Sequence, residues 1–176
     1  MKKEMIPIKL SSITRGAMAI ALIFVSFSLF RGVTNILNAL LVPLTLYLSS
    51  INQKKKQIFT LYSVVIIFCL IFFNMQFFFI IFYCCIAFLI LKLREKNINA
   101  VLSALILTLT ISFSFWIGIM LTDYFFLTNM NDVILKVLRG NFFAYGMMLI
   151  IEGALVAVSQ LFISRMFYKR LLSIYK

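Results

Sequence analysis

A carboxyl group in the middle of an apolar run is the clearest candidate for chemistry in this chain. Glu152 lies between Ile151 and Gly153, within a long hydrophobic segment. A charged carboxylate at the centre of a membrane is costly unless it is protonated, paired or in contact with water, so such residues commonly mark a substrate or ion path. A neutral glutamic acid that hydrogen-bonds to a neighbouring helix is the structural alternative, and both interpretations stay open.

Polar and aromatic side chains precede Glu152 at helical spacing. Asn141, Tyr145, Met148 and Glu152 stand at i, i+4, i+7 and i+11, which places them on one helix face. Ser159 extends this stripe further along the same span. The pattern indicates either the lining of a cavity open to the outside or a face packed against the Ser and Thr residues of the preceding span.

Further candidates for ligand contact lie toward the outer side. Trp116 is expected near the membrane surface, where it either belongs to an interfacial aromatic belt or stacks on a ligand. Lys136 and Arg139 are predicted to lie outside. They either attract an anionic ligand or lipid headgroup, or pair with Asp123 and Asp132. The candidate ligand-binding residues are therefore Glu152, Tyr145, Asn141, Trp116 and Arg139.

The segment 123–140 is more polar than the apolar runs on either side of it. Asn131 and Asp132 are expected to cap a short helix over 133–138, and the apolar face of that helix is expected to rest on the membrane. The segment therefore predicts a surface element rather than a further span.

The residue types needed for catalysis or metal binding are missing or scattered. The chain has no histidine, and Cys69, Cys84 and Cys85 all fall inside apolar runs, where they are expected to be ordinary helix residues. The few acids are too dispersed to define a mechanism, and no glycine-rich phosphate loop is present. We therefore expect no catalytic residue, no metal, no cofactor and no enzyme activity.

The charge pattern indicates a membrane protein rather than a nucleic-acid-binding protein. The formal charge is +12, but 64% of the residues are hydrophobic and the basic residues form short clusters between apolar runs. Because cytoplasmic loops collect Lys and Arg, these clusters predict a cell-membrane protein with both termini in the cytoplasm. The basic residues predicted inside are Lys2, Lys3, Lys9, Arg15, Lys54, Lys55, Lys56, Lys92, Arg94, Lys96, Arg165, Lys169, Arg170 and Lys176, against Arg31, Lys136 and Arg139 outside.

The apolar runs predict an all-α polytopic fold with about six transmembrane helices in a single domain, residues 1–176. A continuous helix from 58 to 93 would be roughly 54 Å long, which exceeds a hydrocarbon core of about 30 Å. A hairpin at Asn74–Gln76 is therefore expected. The predicted spans are approximately 13–30, 36–50, 58–73, 77–93, 98–122 and 141–164, with the outer segment at 123–140.

The lysine triplet 54–56 is expected to contact anionic lipid headgroups in addition to setting the topology. A protein partner that binds the triplet is the alternative interpretation.

The start of the first span carries a resemblance to a known family. Residues 13–21 form a basic and polar lead followed by Ala17 and Ala21, small residues four apart that allow close approach of another helix. This opening resembles the first helix of S components of energy-coupling factor (ECF) transporters, which are compact six-helix proteins of about this length. The turn at 52–56 departs from the usual pattern of the family because it has no glycine.

The resemblance implies a substrate-binding membrane subunit for micronutrient or vitamin uptake. It implies that the Ala17 and Ala21 face docks onto a transmembrane coupling subunit, which recruits ATPase subunits, and that a small-molecule ligand binds near the outer ends of the later helices. The chain also resembles the small multi-span protein of the bacterial rod-shape complex. That likeness implies the alternative function, a non-catalytic scaffold of a membrane or cell-envelope complex.

Overall fold

The computed structural model describes the backbone of residues 8–30 and 35–174, and the side chains of residues 13–30 and 36–167. The described chain is helical, with no strand. Seven α-helices follow one another with a single 3₁₀ turn, Asn74–Gln76, before the fourth. They are α1 (Ile8–Leu29), α2 (Asn35–Ser50), α3 (Lys55–Phe72), α4 (Phe77–Glu95), α5 (Ala100–Phe126), α6 (Met130–Val137) and α7 (Phe142–Ile174).

Four of the described helical segments are long and apolar enough to cross a membrane: Lys55–Phe72, Asn74–Glu95, Ala100–Phe126 and Phe142–Phe167. The apolar parts of α1 and α2, Ile13–Leu29 and Ile36–Ser50, are shorter. The protein is thus an all-α membrane protein. Helix α5 continues through Asp123 to Phe126, so the start of the expected surface segment belongs to a spanning helix.

Helix α2 lies at the centre of the bundle and contacts α1, α4 and α7. Ala39, Val42, Leu46 and Tyr47 of α2 are fully buried, and Ser49 and Ser50 at its end are buried as well. The most extensive helix pair is α5 with α7, and α3 packs mainly against α4. Helices α1 and α3 touch little along their length, so a groove remains between them.

The structure gathers the described basic residues of the predicted inner side at one end of the bundle, which we call the basic end. It consists of the start of α1, the α2–α3 and α4–α5 turns and the later part of α7. Arg15 of α1 donates a hydrogen bond to the carbonyl of Ile51 after α2, and Arg94 of α4 donates one to the carbonyl of Ser164 on α7. The other end, called the opposite end, carries α6 and the 3₁₀ turn, where Phe78 packs on Phe125. Basic residues whose side chains lie outside the described part are Lys2, Lys3, Lys9, Arg31, Lys169, Arg170 and Lys176.

Candidate functional site

Tyr145 is the candidate site residue that the fold places in the protein interior. Its side chain is 6% exposed, on the face of α7 that packs against α5. The hydroxyl is buried and has no hydrogen-bond partner among the described residues. Helix α5 carries Asp123 near its end, and α7 carries Glu152 two turns after Tyr145. A buried hydroxyl without a hydrogen-bond partner therefore lies on a helix pair that also carries two carboxyl groups.

Asp123 organises the connection between α5 and α7. Its carboxylate accepts hydrogen bonds from the hydroxyl of Thr128, from the Met130 amide at 2.9 Å and from the Asn131 amide at 2.8 Å. Because the first amides of a helix have no partner within it, these bonds fix the start of α6. The carboxylate is in turn stabilised by the positive end of the helix dipole. Asp123 therefore holds α6 over the end of the bundle where Tyr145 is buried.

The expected cap of this short helix is wrong. The helix covers Met130–Val137, not 133–138, and Asn131 and Asp132 lie within its first turn. The capping carboxylate comes instead from Asp123, seven residues before Met130, because α5 ends at Phe126 and the chain turns back through Leu127 at φ 52°. The sequence pattern of a local cap could not reveal a cap from the preceding helix.

Of the two interpretations of the outer cations, pairing with Asp123 and Asp132 is not found among the described residues. Lys136 and Arg139 are exposed, and neither forms an ion pair within the described part of the chain, where the ion pair found is Lys92–Glu95. Asp123 is occupied by the amides of α6, and Asp132 is exposed. Arg139 adopts a left-handed conformation, φ 53°, at the end of α6. Both cations are thus free to meet an anionic group at the opposite end.

Glu152 is half-buried on α7, between the packed and the exposed faces of the helix. No ion pair or hydrogen bond joins the Glu152 side chain to another described residue. A hydrogen bond from Glu152 to a neighbouring helix, the structural alternative, is therefore not observed among those residues. Its neighbour Gly153 instead packs tightly against α5, since a Cβ there would clash with Ser112 Oγ.

Asn141 and Trp116 occupy the borders of this region. The Asn141 side chain accepts a hydrogen bond from the Ala144 amide at 3.1 Å, so it caps α7 while remaining exposed. Trp116 is 42% exposed and packs against Phe113 on the outward face of α5. Tyr145 and Glu152 thus share one side of α7, two turns apart, whereas Trp116 points away from the α5–α7 interface.

The candidate docking residues lie on the surface of α1. Ala17 and Ala21 are exposed, whereas Ala19, Ile23 and Phe27 form the buried face of this helix. The small side chains of Ala17 and Ala21 leave this part of the α1 backbone accessible to another helix.

Sequence reasoning missed three polar residues that join the helices. Gln160 is fully buried on α7 and donates to the carbonyl of Ala39 at 2.6 Å, and Asn38 accepts from Ser26 at 2.8 Å. Arg94, taken only as a topology charge, donates to the hydroxyl of Tyr47 at 2.7 Å and to the carbonyl of Ser164 at 3.0 Å. A lone Asn or Gln within an apolar run was the available signal, because such residues need a partner in a membrane.

Comparison with known proteins finds no matching family model, no matching curated protein and no matching solved structure. The class of the protein therefore rests on its fold and on the polar residues described above. That class is an all-α membrane protein built on a tightly packed α5–α7 pair and a buried α2.

Proposed function

We propose that this chain is the substrate-binding integral membrane subunit of a micronutrient or vitamin uptake transporter, energised by partner ATPase subunits. In this proposal all six apolar helices cross the cell membrane, both termini lie in the cytoplasm, and the opposite end faces outward. The exposed Ala17 and Ala21 face of α1 docks onto a transmembrane coupling subunit. The chain contributes binding and movement, and the partners contribute the energy of ATP hydrolysis.

The observation that carries this proposal is the buried, unpartnered hydroxyl of Tyr145 on the helix pair that also carries Asp123 and Glu152. A buried polar group without a hydrogen bond costs about 1–3 kcal/mol, so a ligand that supplies the missing partner gains that amount. Helix α6, which Asp123 holds in place, is the element that would close over the ligand. Glu152 would then accept a hydrogen bond or a positive charge from the ligand.

A tagged protein purified from native membranes tests this proposal by mass spectrometry of its bound proteins and small molecules. We expect a coupling subunit and ATPases to co-purify, and Ala21→Trp to remove them because the bulky ring blocks helix approach. Leu105→Trp, on the exposed face of α5, is the matched control and retains them. Glu152→Gln is expected to lose the small molecule while keeping the partners and the membrane abundance.

Partners retained equally by Ala21→Trp and Leu105→Trp would overturn the docking face. Loss of membrane abundance in Glu152→Gln would instead identify Glu152 as a structural residue.

A non-catalytic scaffold is the second candidate function, because the three cavities below are not lined by Tyr145 or Glu152. Cavities of about 280, 330 and 370 Å³ are found at the basic end, lined by residues such as Arg94, Ser49 and Asn97. In the same experiment, cell-wall or division proteins that co-purify without any ATPase would favour the scaffold.

A further inference from the structure

A groove of about 610 Å³ separates α1 from α3 at the basic end. Its wall is apolar and includes Gly16, Ala17, Ile20, Leu61 and Val64. From Ile13 to Ile20 the groove follows α1 for about 10 Å at 1.5 Å per residue, which is within the depth of one leaflet. The volume lies in the usual range of small-molecule sites, about 300–1,000 Å³.

Aromatic rings close the groove at its membrane-buried end. Phe24 of α1 packs against Phe68 and Phe73, with ring centroids 5.9 Å and 5.5 Å apart, and Phe27 also contacts Phe73 at 5.3 Å. Because Phe73 directly follows α3, these contacts lie toward the opposite end, and the two helices diverge toward the basic end. The space between them is a wedge that is open at the basic end and closed by these rings.

Hydrogen-bond donors surround the open end of this wedge. Lys54 and Lys56 line it and are exposed, and no carboxylate is among the described residues that line it. Gln53 also lines the groove, and its Nε2 group is buried without a hydrogen-bond partner in the described part of the chain. The start of α3 lies at the same place, where the first amides of the helix favour an anion.

We propose that this groove is a specific binding site for an anionic phospholipid. The phosphate contacts Lys54 and Lys56 at the start of α3, the Gln53 amide donates to an oxygen of the headgroup or glycerol ester, and an acyl chain lies along Ala17, Ile20 and Leu61. The arrangement matches a lipid because the donors lie at one end of a wedge whose remaining lining is apolar apart from Thr60, whose hydroxyl donates to the Lys56 carbonyl of its own helix. Lys55, which lies between the two lysines in sequence, does not line the groove.

This inference is independent of the transport function, since it requires neither a substrate nor a coupling subunit. It shares only Ala17 with the proposed docking face, and Ala21 lies outside the residues that line the groove.

Native mass spectrometry of the purified protein in nanodiscs tests the site. The probes are phosphatidylglycerol and phosphatidylcholine with identical acyl chains, mixed in equal amounts. We expect one phosphatidylglycerol molecule to be retained selectively. Because a lysine near an anionic lipid surface contributes about fivefold in affinity, the double variant Lys54→Gln/Lys56→Gln is expected to weaken retention by about 25-fold.

Two comparisons make the result specific to the groove. Lys55→Gln/Lys96→Gln removes the same number of charges from exposed positions at the basic end and is expected to retain the lipid. Ala17→Trp fills the apolar wall without changing any charge and is expected to displace the lipid, whereas Leu105→Trp on α5 is not.

Three results would overturn the proposal. Equal retention of the two lipids would exclude recognition of the anionic headgroup. Equal loss in the two double lysine variants would reduce the effect to overall charge. A stoichiometric protein chain that is lost in Ala17→Trp, with no lipid retained, would show that a partner helix occupies the groove.

Discussion

At the scale of single residues, Gly153 has a clearer structural role than its neighbour Glu152. The side chain of Ser112 donates to the carbonyl of Leu149 at 2.9 Å, and Gly153 lies one turn further along α7 against the same part of α5. Small residues permit this close approach of two helix backbones, which is a principal source of stability between membrane helices. When a substitution in this region reduces function, disturbed packing at Gly153 must therefore be distinguished from lost chemistry at Glu152.

Gly153→Ala is expected to destabilise the protein by about 1–3 kcal/mol, the usual cost of overpacking a tight interface. A Cβ at this position would clash with Ser112 Oγ and lie 3.0 Å from the backbone oxygen of Thr108, so either Ser112 must rotate or the helices must separate. Gly146→Ala is the matched control because nothing lies within 4 Å of its added Cβ. It is expected to be neutral or stabilising by up to about 1 kcal/mol, as alanine favours the helix.

Thermal unfolding of the two alanine variants in the same detergent measures this difference. Equal melting temperatures for Gly153→Ala and Gly146→Ala would show that the α5–α7 crossing is not as tight as described.

At the scale of elements, α6 depends on a residue of the preceding helix. The bonds from Thr128, Met130 and Asn131 to Asp123 tie the start of α6 to the end of α5. Helix α6 has no fully buried residue, although Met130, Ile134 and Leu135 pack in part against the core. An eight-residue helix is marginal by itself in water, so these side-chain bonds and this limited packing are what keep it in place.

Asp123→Ala is expected to loosen α6 by about 1–2 kcal/mol, the typical value of a helix cap. Amide hydrogen exchange in Met130–Val137 should therefore accelerate about tenfold, while the exchange of the other helices stays unchanged. Asp132→Ala removes the same charge from an exposed position in the first turn of α6 and serves as the control. Equal acceleration in both variants would mean that helix electrostatics, rather than the specific bonds of Asp123, holds α6.

At the scale of the whole molecule, three helices meet at Arg94. Its guanidinium group links α4 to Tyr47 of α2 and to the Ser164 carbonyl of α7, with Tyr47 fully buried. Hydrogen bonds that involve a charged group contribute about 1.5–3 kcal/mol. The basic end is therefore a structural junction as well as the carrier of the topology signal.

The orientation of the bundle is a prediction that cysteine labelling checks. Lys136→Cys and Lys55→Cys place exposed thiols at the opposite end and at the basic end, and the native cysteines lie within the apolar helices α3 and α4. If both termini are cytoplasmic, a membrane-impermeant maleimide labels Lys136→Cys in intact cells and labels Lys55→Cys only after permeabilisation. The reverse pattern would show that the termini lie outside the cell. Labelling of both variants in intact cells would show that the two ends of the bundle do not lie on opposite sides of the membrane.

The amino-acid sequence by itself determined the helical class and the approximate limits of the apolar helices, because both depend on local hydropathy and on charges in the turns. The hairpin at Asn74–Gln76 is confirmed on this basis. The helical stripe that contains Tyr145 and Glu152 likewise followed from spacing within a single helix. Their role in binding a ligand stays a prediction.

Only the tertiary structure decided which apolar faces pack together, since a face that meets lipid and one that meets another helix have the same hydropathy in a membrane. The contacts that hold the bundle join residues far apart in sequence: Gln160 is 121 positions from Ala39, and Arg94 is 70 positions from Ser164. The cap of α6 by Asp123 depends on how α5 ends and on how the chain turns back. These partners are set by the three-dimensional arrangement of the helices, which no local pattern encodes.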